Sequence, residues 1–132
     1  AFGADVVAYS ATKMMDGQGR VMAGAVCGSA DWINNVLLPF QRNTGPNIAA
    51  FNAWVVHKGL ETLDLRIHRQ SENALKVASF VEGRVPRLLY PHLPSHPQYE
   101  LAKKQMKAGG TIFSFHLDGG LKQATRCSMR CS

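Results

Sequence analysis

The sequence predicts an α/β or α+β chain, and three observations carry that expectation. Two early apolar runs, Val6-Val7-Ala8-Tyr9 and residues 21–27, have the length and residue types of strands. A long middle stretch repeats Leu63, Ile67, Ala74, Val77, Ala78 and Val81 at near-helical spacing. Toward the end, Ile112, Ser114 and His116 alternate with Phe113, Phe115 and Leu117, a period of two. Helix and strand therefore alternate along the whole chain.

Taken in order, the first strand is expected over residues 4–10, followed by a glycine-bearing turn through Arg20. The second strand, residues 21–27, is so continuously apolar that both its faces are expected to be covered. Ser29 is placed to cap a helix over residues 30–38, which Pro39 and the polar Gln41-Arg42-Asn43-Thr44-Gly45-Pro46 should break. A helix over residues 47–57 should stop at Gly59. The longest helix should run from Leu60 to Gly83, with Arg66 and Arg69 on its polar side. A strand is expected over residues 85–90, disturbed at its start by Pro86. Pro91, Pro94 and Pro97 then stiffen a loop. A short helix over residues 99–106 should end before Gly109-Gly110, ahead of the alternating strand at residues 111–117. The long helix joins two differently patterned halves, which puts a domain boundary near residues 63–71.

Composition narrows the function. The 132 residues, 45% hydrophobic, suit about one domain. A net charge of +6 and a pI near 9.6 invite an anionic partner, but no run of four basic residues occurs, so nucleic-acid binding is not expected. The five histidines lack zinc-ligand spacing, so no metal site is expected. No apolar stretch reaches the roughly 18 residues of a membrane span, and no signal peptide is expected from these residues. Three cysteines, an odd number, argue against a disulfide framework and for a reducing, cytoplasmic setting. Cys27, in an apolar run, reads as a small buried residue.

The chemistry concentrates in Tyr9-Ser10-Ala11-Thr12-Lys13-Met14-Met15-Asp16-Gly17-Gln18-Gly19-Arg20. Lys13 sits just past an apolar strand, so it is expected to be at least half-buried, and a desolvated amine becomes a nucleophile toward an aldehyde. Ser10 and Thr12 offer hydroxyls that bind a phosphate without adding negative charge. An amine beside phosphate-binding hydroxyls is what pyridoxal 5'-phosphate (PLP) requires. Gly17 and Gly19 are expected to serve the backbone, by positive φ or close approach near the lysine, and Arg20 to be an exposed charge after the turn rather than a contact to substrate.

Around that segment, residues 3–13 resemble the cofactor-lysine segment of the Cys/Met-metabolism PLP-dependent enzymes, of aspartate-aminotransferase fold type. His57-Lys58-Gly59-Leu60-Glu61-Thr62-Leu63-Asp64-Leu65-Arg66 is similar to the start of that family's domain-linking helix. Pro97-Gln98-Tyr99-Glu100-Leu101-Ala102 and Gly109-Gly110-Thr111-Ile112-Phe113-Ser114-Phe115 resemble its small C-terminal domain. An isolated Ser-x-Thr-Lys is an ordinary turn; the ordered match around it, over about residues 1–121, is what singles out this one. The resemblance implies an α/β fold in part. Residues 1–62 would belong to the large PLP-binding domain, and residues 63–124 to the linking helix and the small domain. It implies Lys13 as the lysine bonded to the cofactor, and Ser10 and Thr12 as contacts to its phosphate. It also implies a tetramer of active dimers.

Asp16-Gly17-Gln18-Gly19-Arg20 and Leu38-Pro39-Phe40-Gln41-Arg42-Asn43-Thr44-Gly45-Pro46 are most similar to the O-succinylhomoserine sulfhydrylase branch, with γ-lyases and γ-synthases as neighbours. That branch makes homocysteine from O-succinylhomoserine and sulfide. The same resemblance implies that an upstream part of the large domain and a substrate-binding arginine near the C-terminus lie outside these residues. The chain alone is therefore expected to be inactive. Residues 125–132 depart from the family and read as an unstructured or out-of-frame tail. Written as ACG CGC TGT TCG ATG CGC TGC AGC and read from the third base, they give Ala-Leu-Phe-Asp-Ala-Leu-Gln, an apolar helix like the family's.

Overall fold

In a computed structural model, residues 3–130 are described, and the chain divides after Asp64 into two compact units. In the first unit, β1 (Val7–Ser10) pairs antiparallel with β2 (Gly24–Cys27), Val7 opposite Cys27 and Ser10 opposite Gly24. All four residues of β1 are exposed, as are all of β2 except the half-buried Ala25. This corrects the expectation of covered strand faces. A continuous apolar run signals burial only where a second layer lies over it, and no such layer packs on this hairpin among the described residues.

Ser29 caps the first helical stretch as expected: its Oγ accepts from the Trp32 N–H at 3.2 Å, starting α1 (Ala30–Trp32). The helix does not break at Pro39. A π-helical segment, Ile33–Leu37, leads into α2 (Leu38–Thr44), with Pro39 in its first turn. The π register, with the Leu38 N–H bonded to the Ile33 carbonyl, carries the chain past a residue that has no N–H to give. Gly45, at φ 79°, ends α2 by donating to the Gln41 carbonyl at 2.8 Å.

The next helix, α3 (Ala50–Leu60), also runs through its expected stop, Gly59. Val55 and Gly59, one turn apart, are its buried residues. Gly59 is there for contact. A Cβ at that position would lie 2.1 Å from the Met15 carbonyl oxygen and 3.0 Å from that of Asp16. Only a residue without a side chain lets α3 approach this closely, and that outweighs its low helix propensity.

The second unit takes most of α4 (Leu63–Val81), whose buried Ser71, Ala74 and Ala78 form a narrow stripe of small residues. Ala74 and Ala78 cluster with Tyr90 and Leu93, with Leu88 and Phe113 packed against them. The Tyr90 hydroxyl lies 2.9 Å from the Gly110 carbonyl and 3.2 Å from that of Ser71, so the ring is buried and its polar end is satisfied. β3 (Leu88–Leu89) and β4 (Ser114–Phe115) pair antiparallel, shorter than expected on both sides.

Between β3 and α5 (Tyr99–Gln105) the proline loop resolves into three consecutive turns. The N–H groups of Leu93, His96 and Tyr99 donate to the carbonyls of Tyr90, Leu93 and His96 at 2.9–3.0 Å. Pro91, Pro94 and Pro97 each occupy the second position of a turn, where a fixed φ helps and no N–H is needed.

Residues 125–130 are not an unstructured tail: they belong to α6 (Gly120–Arg130). Leu121, Lys122, Gln123, Ala124 and Arg126 are good helix formers, and the Thr125 hydroxyl donates back to the Leu121 carbonyl at 2.9 Å. Residues 131 and 132 lie outside the described part.

Candidate active site at the lysine turn

β1 ends at Ser10, and the chain immediately folds into a tight turn that carries Lys13. The Lys13 N–H donates to the Ser10 carbonyl at 3.2 Å, the Asp16 N–H to Ala11 at 2.9 Å, and the Gly17 N–H to Lys13 at 2.7 Å. Ala11 is buried beneath the turn. Thr12 ties it to the start of β2: its N–H donates to the Ala23 carbonyl at 3.2 Å, and its Oγ1 accepts from the Ala23 N–H at 2.9 Å. The same hydroxyl reaches back to the Ala23 carbonyl at 3.3 Å, a longer contact. Ser10, Thr12 and Lys13 are thus brought together by four residues of chain, with Ser10 and Lys13 exposed and Thr12 half-buried.

Lys13 is not the half-buried amine that the strand before it implies. Its side chain is exposed, because nothing among the described residues packs over the hairpin. Cys27 at the far end of β2 is exposed for the same reason, against the expectation of burial.

The group that sequence reading passed over is Asp16. It is 1% exposed, and both its oxygens are used by Arg20. The Arg20 backbone N–H donates to Oδ2 at 2.6 Å, Nε to Oδ1 at 2.8 Å, and Nη2 to the Asp16 carbonyl at 3.2 Å. Arg20 is therefore a partner rather than a loose surface charge. Gly17 and Gly19 do adopt positive φ, 74° and 67°, which lets the loop close on itself. Burial pushes the Asp16 carboxyl up, but the Arg20 N–H, its guanidinium and the Gln18 N–H outweigh that and hold it below its ordinary value. An acid and a base four residues apart across two glycines is the signal that would have revealed the pair.

The residue set fits PLP in its donor chemistry. A primary amine stands exposed beside two hydroxyls, and the carboxylate three residues on is neutralised by Arg20, so it does not repel a phosphate. Among the described residues, no cluster of three His, Cys, Asp or Glu side chains is arranged to hold a metal. Among the same residues, no helix is long and apolar enough to cross a membrane. An open concavity of about 240 Å³ in the second unit, lined by Arg87, Leu89, Ser114, Phe115 and His116, contains none of the expected site residues.

Comparison with known proteins agrees with this chemistry. The family described as Cys/Met metabolism PLP-dependent enzyme matches residues 1–132. The O-succinylhomoserine sulfhydrylase of Mycobacterium tuberculosis is 51% identical over 88% of this chain and 29% of its own length. The L-methionine γ-lyase of Porphyromonas gingivalis is 44% identical over 89% of this chain and 30% of its own. The crystal structure of cystathionine γ-synthase from Xanthomonas oryzae pv. oryzae superposes with a TM-score of 0.88 at 34% identity, over 94% of this chain and 33% of that one. The chain thus spans about a third of the length of the relatives it matches, and its α/β fold is theirs in part. Sulfhydrylases, γ-lyases and γ-synthases all appear among these relatives, and all depend on the same cofactor chemistry. The chain belongs to the Cys/Met-metabolism family of PLP-dependent enzymes.

Proposed function

We propose that this chain is the lysine-bearing part of a PLP-dependent O-succinylhomoserine sulfhydrylase. The observation that carries the proposal is the 51% identity to the Mycobacterium tuberculosis sulfhydrylase, against 44% to the Porphyromonas gingivalis γ-lyase over nearly the same share of the chain. In the proposed reaction the bond from the substrate's γ-carbon to the succinyl oxygen breaks, a C–S bond forms from sulfide, and succinate departs with the electron pair. PLP, when bound, supplies an electron sink for the charge that develops on the substrate carbons.

The chain's own residues divide the remaining work. Lys13 Nζ would hold the cofactor covalently and, once released, carry protons between substrate carbons. That role needs an amine able to work in its neutral form. The exposed Ser10 hydroxyl would donate to the cofactor phosphate. Thr12 would add a second donor by turning its proton from the long 3.3 Å contact with the Ala23 carbonyl toward the phosphate. It would still accept from the Ala23 N–H, so the turn would not loosen. A cytoplasmic location and a homo-oligomer of active dimers belong to the same reading, as the family resemblance implies.

The exposure of Lys13 favours a second statement about these 132 residues taken alone: they do not direct turnover, because the catalytic field around the amine is open to water. The test uses the natural-length protein with PLP, O-succinylhomoserine and sulfide. PLP-dependent release of homocysteine and succinate, lost in Lys13→Ala, is expected. Methanethiol from methionine as the dominant product would replace the sulfhydrylase with a γ-lyase. Homocysteine formed at an enzyme-like rate by the 132-residue chain would overturn the second statement.

A further inference from the structure

We propose that Asp16 and Arg20 are positioning residues for Lys13: their closed ion pair locks the turn from which the lysine projects. The inference rests on reading Lys13 as the cofactor lysine. Three observations lead to it. First, the turn is pinned on both sides of Lys13. Thr12 holds it to Ala23 on one side, and on the other the Lys13 carbonyl accepts from Gly17, the residue next to Asp16. Second, the segment after Lys13 has little stiffness of its own, since Gly17 and Gly19 both sit at positive φ, where glycine is freest. What closes the loop is Asp16, which uses both oxygens on Arg20 at 2.6 and 2.8 Å.

Third, the clamp is seated against a helix. Gly59 of α3 meets the Met15 and Asp16 carbonyls so closely that a Cβ could not be inserted. The Asp16 side chain is fully buried, while Arg20 keeps 38% of its side chain exposed. A carboxylate buried three residues from the cofactor lysine, and close in sequence to the phosphate-binding hydroxyls of Ser10 and Thr12, would oppose the phosphate if left unpaired. Paired, it fixes geometry without that electrostatic cost. Arg20 serves here by holding Asp16 rather than by touching a ligand.

The probe is PLP itself, added to the 132-residue chain and fixed by borohydride reduction, with labelling read by peptide mass spectrometry. Exposed Lys76, in the other unit, is the internal reference. In the unaltered chain Lys13 is expected to be labelled about tenfold faster than Lys76, the low end of what one hydrogen bond to a charged phosphate is worth. Asp16→Asn should bring that ratio close to one. Arg20→Lys, which keeps the charge but not the planar fork, should fall between the two. Circular dichroism identifies the folded variants; if Asp16→Asn does not fold, Arg20→Lys carries the test, since it leaves Asp16 a cationic partner. A ratio unchanged in the folded variants overturns the clamp and leaves the lysine reading standing. A ratio near one in the unaltered chain overturns the reading and the clamp with it.

Discussion

The two units of this chain spend their buried volume on different things. In the second, burial is mainly apolar: Ala74, Ala78, Tyr90 and Leu93 pack into one cluster, with Tyr90 at 1% exposure filling its centre. In the first, the fully buried side chain of size is a carboxylate, and a glycine lies against backbone beside it. One unit is organised around an aromatic ring and the other around a turn. A ring can adjust to a neighbour, whereas carbonyls inside a hydrogen-bonded turn cannot. The lesson is that the first unit's scarce packing serves the segment carrying Lys13.

The largest effect should come from adding one carbon at the two closely packed glycines. Gly59→Ala would put its Cβ 2.1 Å from the Met15 carbonyl oxygen, and Gly109→Ala would put one 2.5 Å from the Tyr90 ring. Each should cost about 3 kcal/mol in denaturant titration, the scale of core overpacking. The comparison sharpens in the double variants. Tyr90→Leu should restore part of the loss in Gly109→Ala, because a side chain made the obstacle. No side-chain change should restore Gly59→Ala, because backbone made it. Equal rescue at both glycines would dissolve the distinction between the units.

The next effect is on pH, and it acts at opposite ends for the two units. The Asp16 carboxyl is held below its ordinary value of 3.8, so its stabilisation is complete above that pH and is lost as pH falls toward the lower folded value. Burial raises the Tyr90 hydroxyl above its ordinary 10.0, so its contribution is complete below pH 10.0 and is lost as pH rises beyond it. Thermal unfolding across pH should therefore show an acid limb reduced in Asp16→Asn and an alkaline limb reduced in Tyr90→Phe. An acid limb unchanged in Asp16→Asn would mean that Arg20 does not hold that carboxylate in solution.

Smaller still, Tyr90→Phe at neutral pH leaves the Ser71 and Gly110 carbonyls without their shared hydroxyl and should cost about 1–2 kcal/mol. Smallest is Thr12→Val, which loses the Oγ1 bridge to Ala23 but keeps the shape of the side chain, at about 1 kcal/mol. Urea titration checks both. A Thr12→Val loss larger than that of Tyr90→Phe would reverse the ranking of the two units.

Local patterns in the chain read well. Ser29 announces its own cap, the positive φ of Gly17 and Gly19 follows from their place in a turn, and Pro91, Pro94 and Pro97 mark a rigid loop that proves to be three turns in succession. Each is decided within three or four residues, where propensity and hydrogen-bond geometry act without help from the rest of the fold. The lysine with its two hydroxyls is legible on the same terms, because a strand end and a turn are enough to bring them together.

What the sequence by itself determined is therefore the order of elements apart from α2 and α6, the turn chemistry and the set of groups at the lysine turn. Burial was decided only in three dimensions. Val7, Ala8 and Cys27 look like core residues by type, yet stay exposed for want of a covering layer. Gly59 looks like a helix stop but holds a contact between α3 and the lysine turn, and Asp16 looks like a solvated charge but is the buried half of a clamp. The physical reason is common to all of them. Residue type fixes what a side chain would gain from leaving water, while tertiary packing alone fixes whether anything is there to receive it.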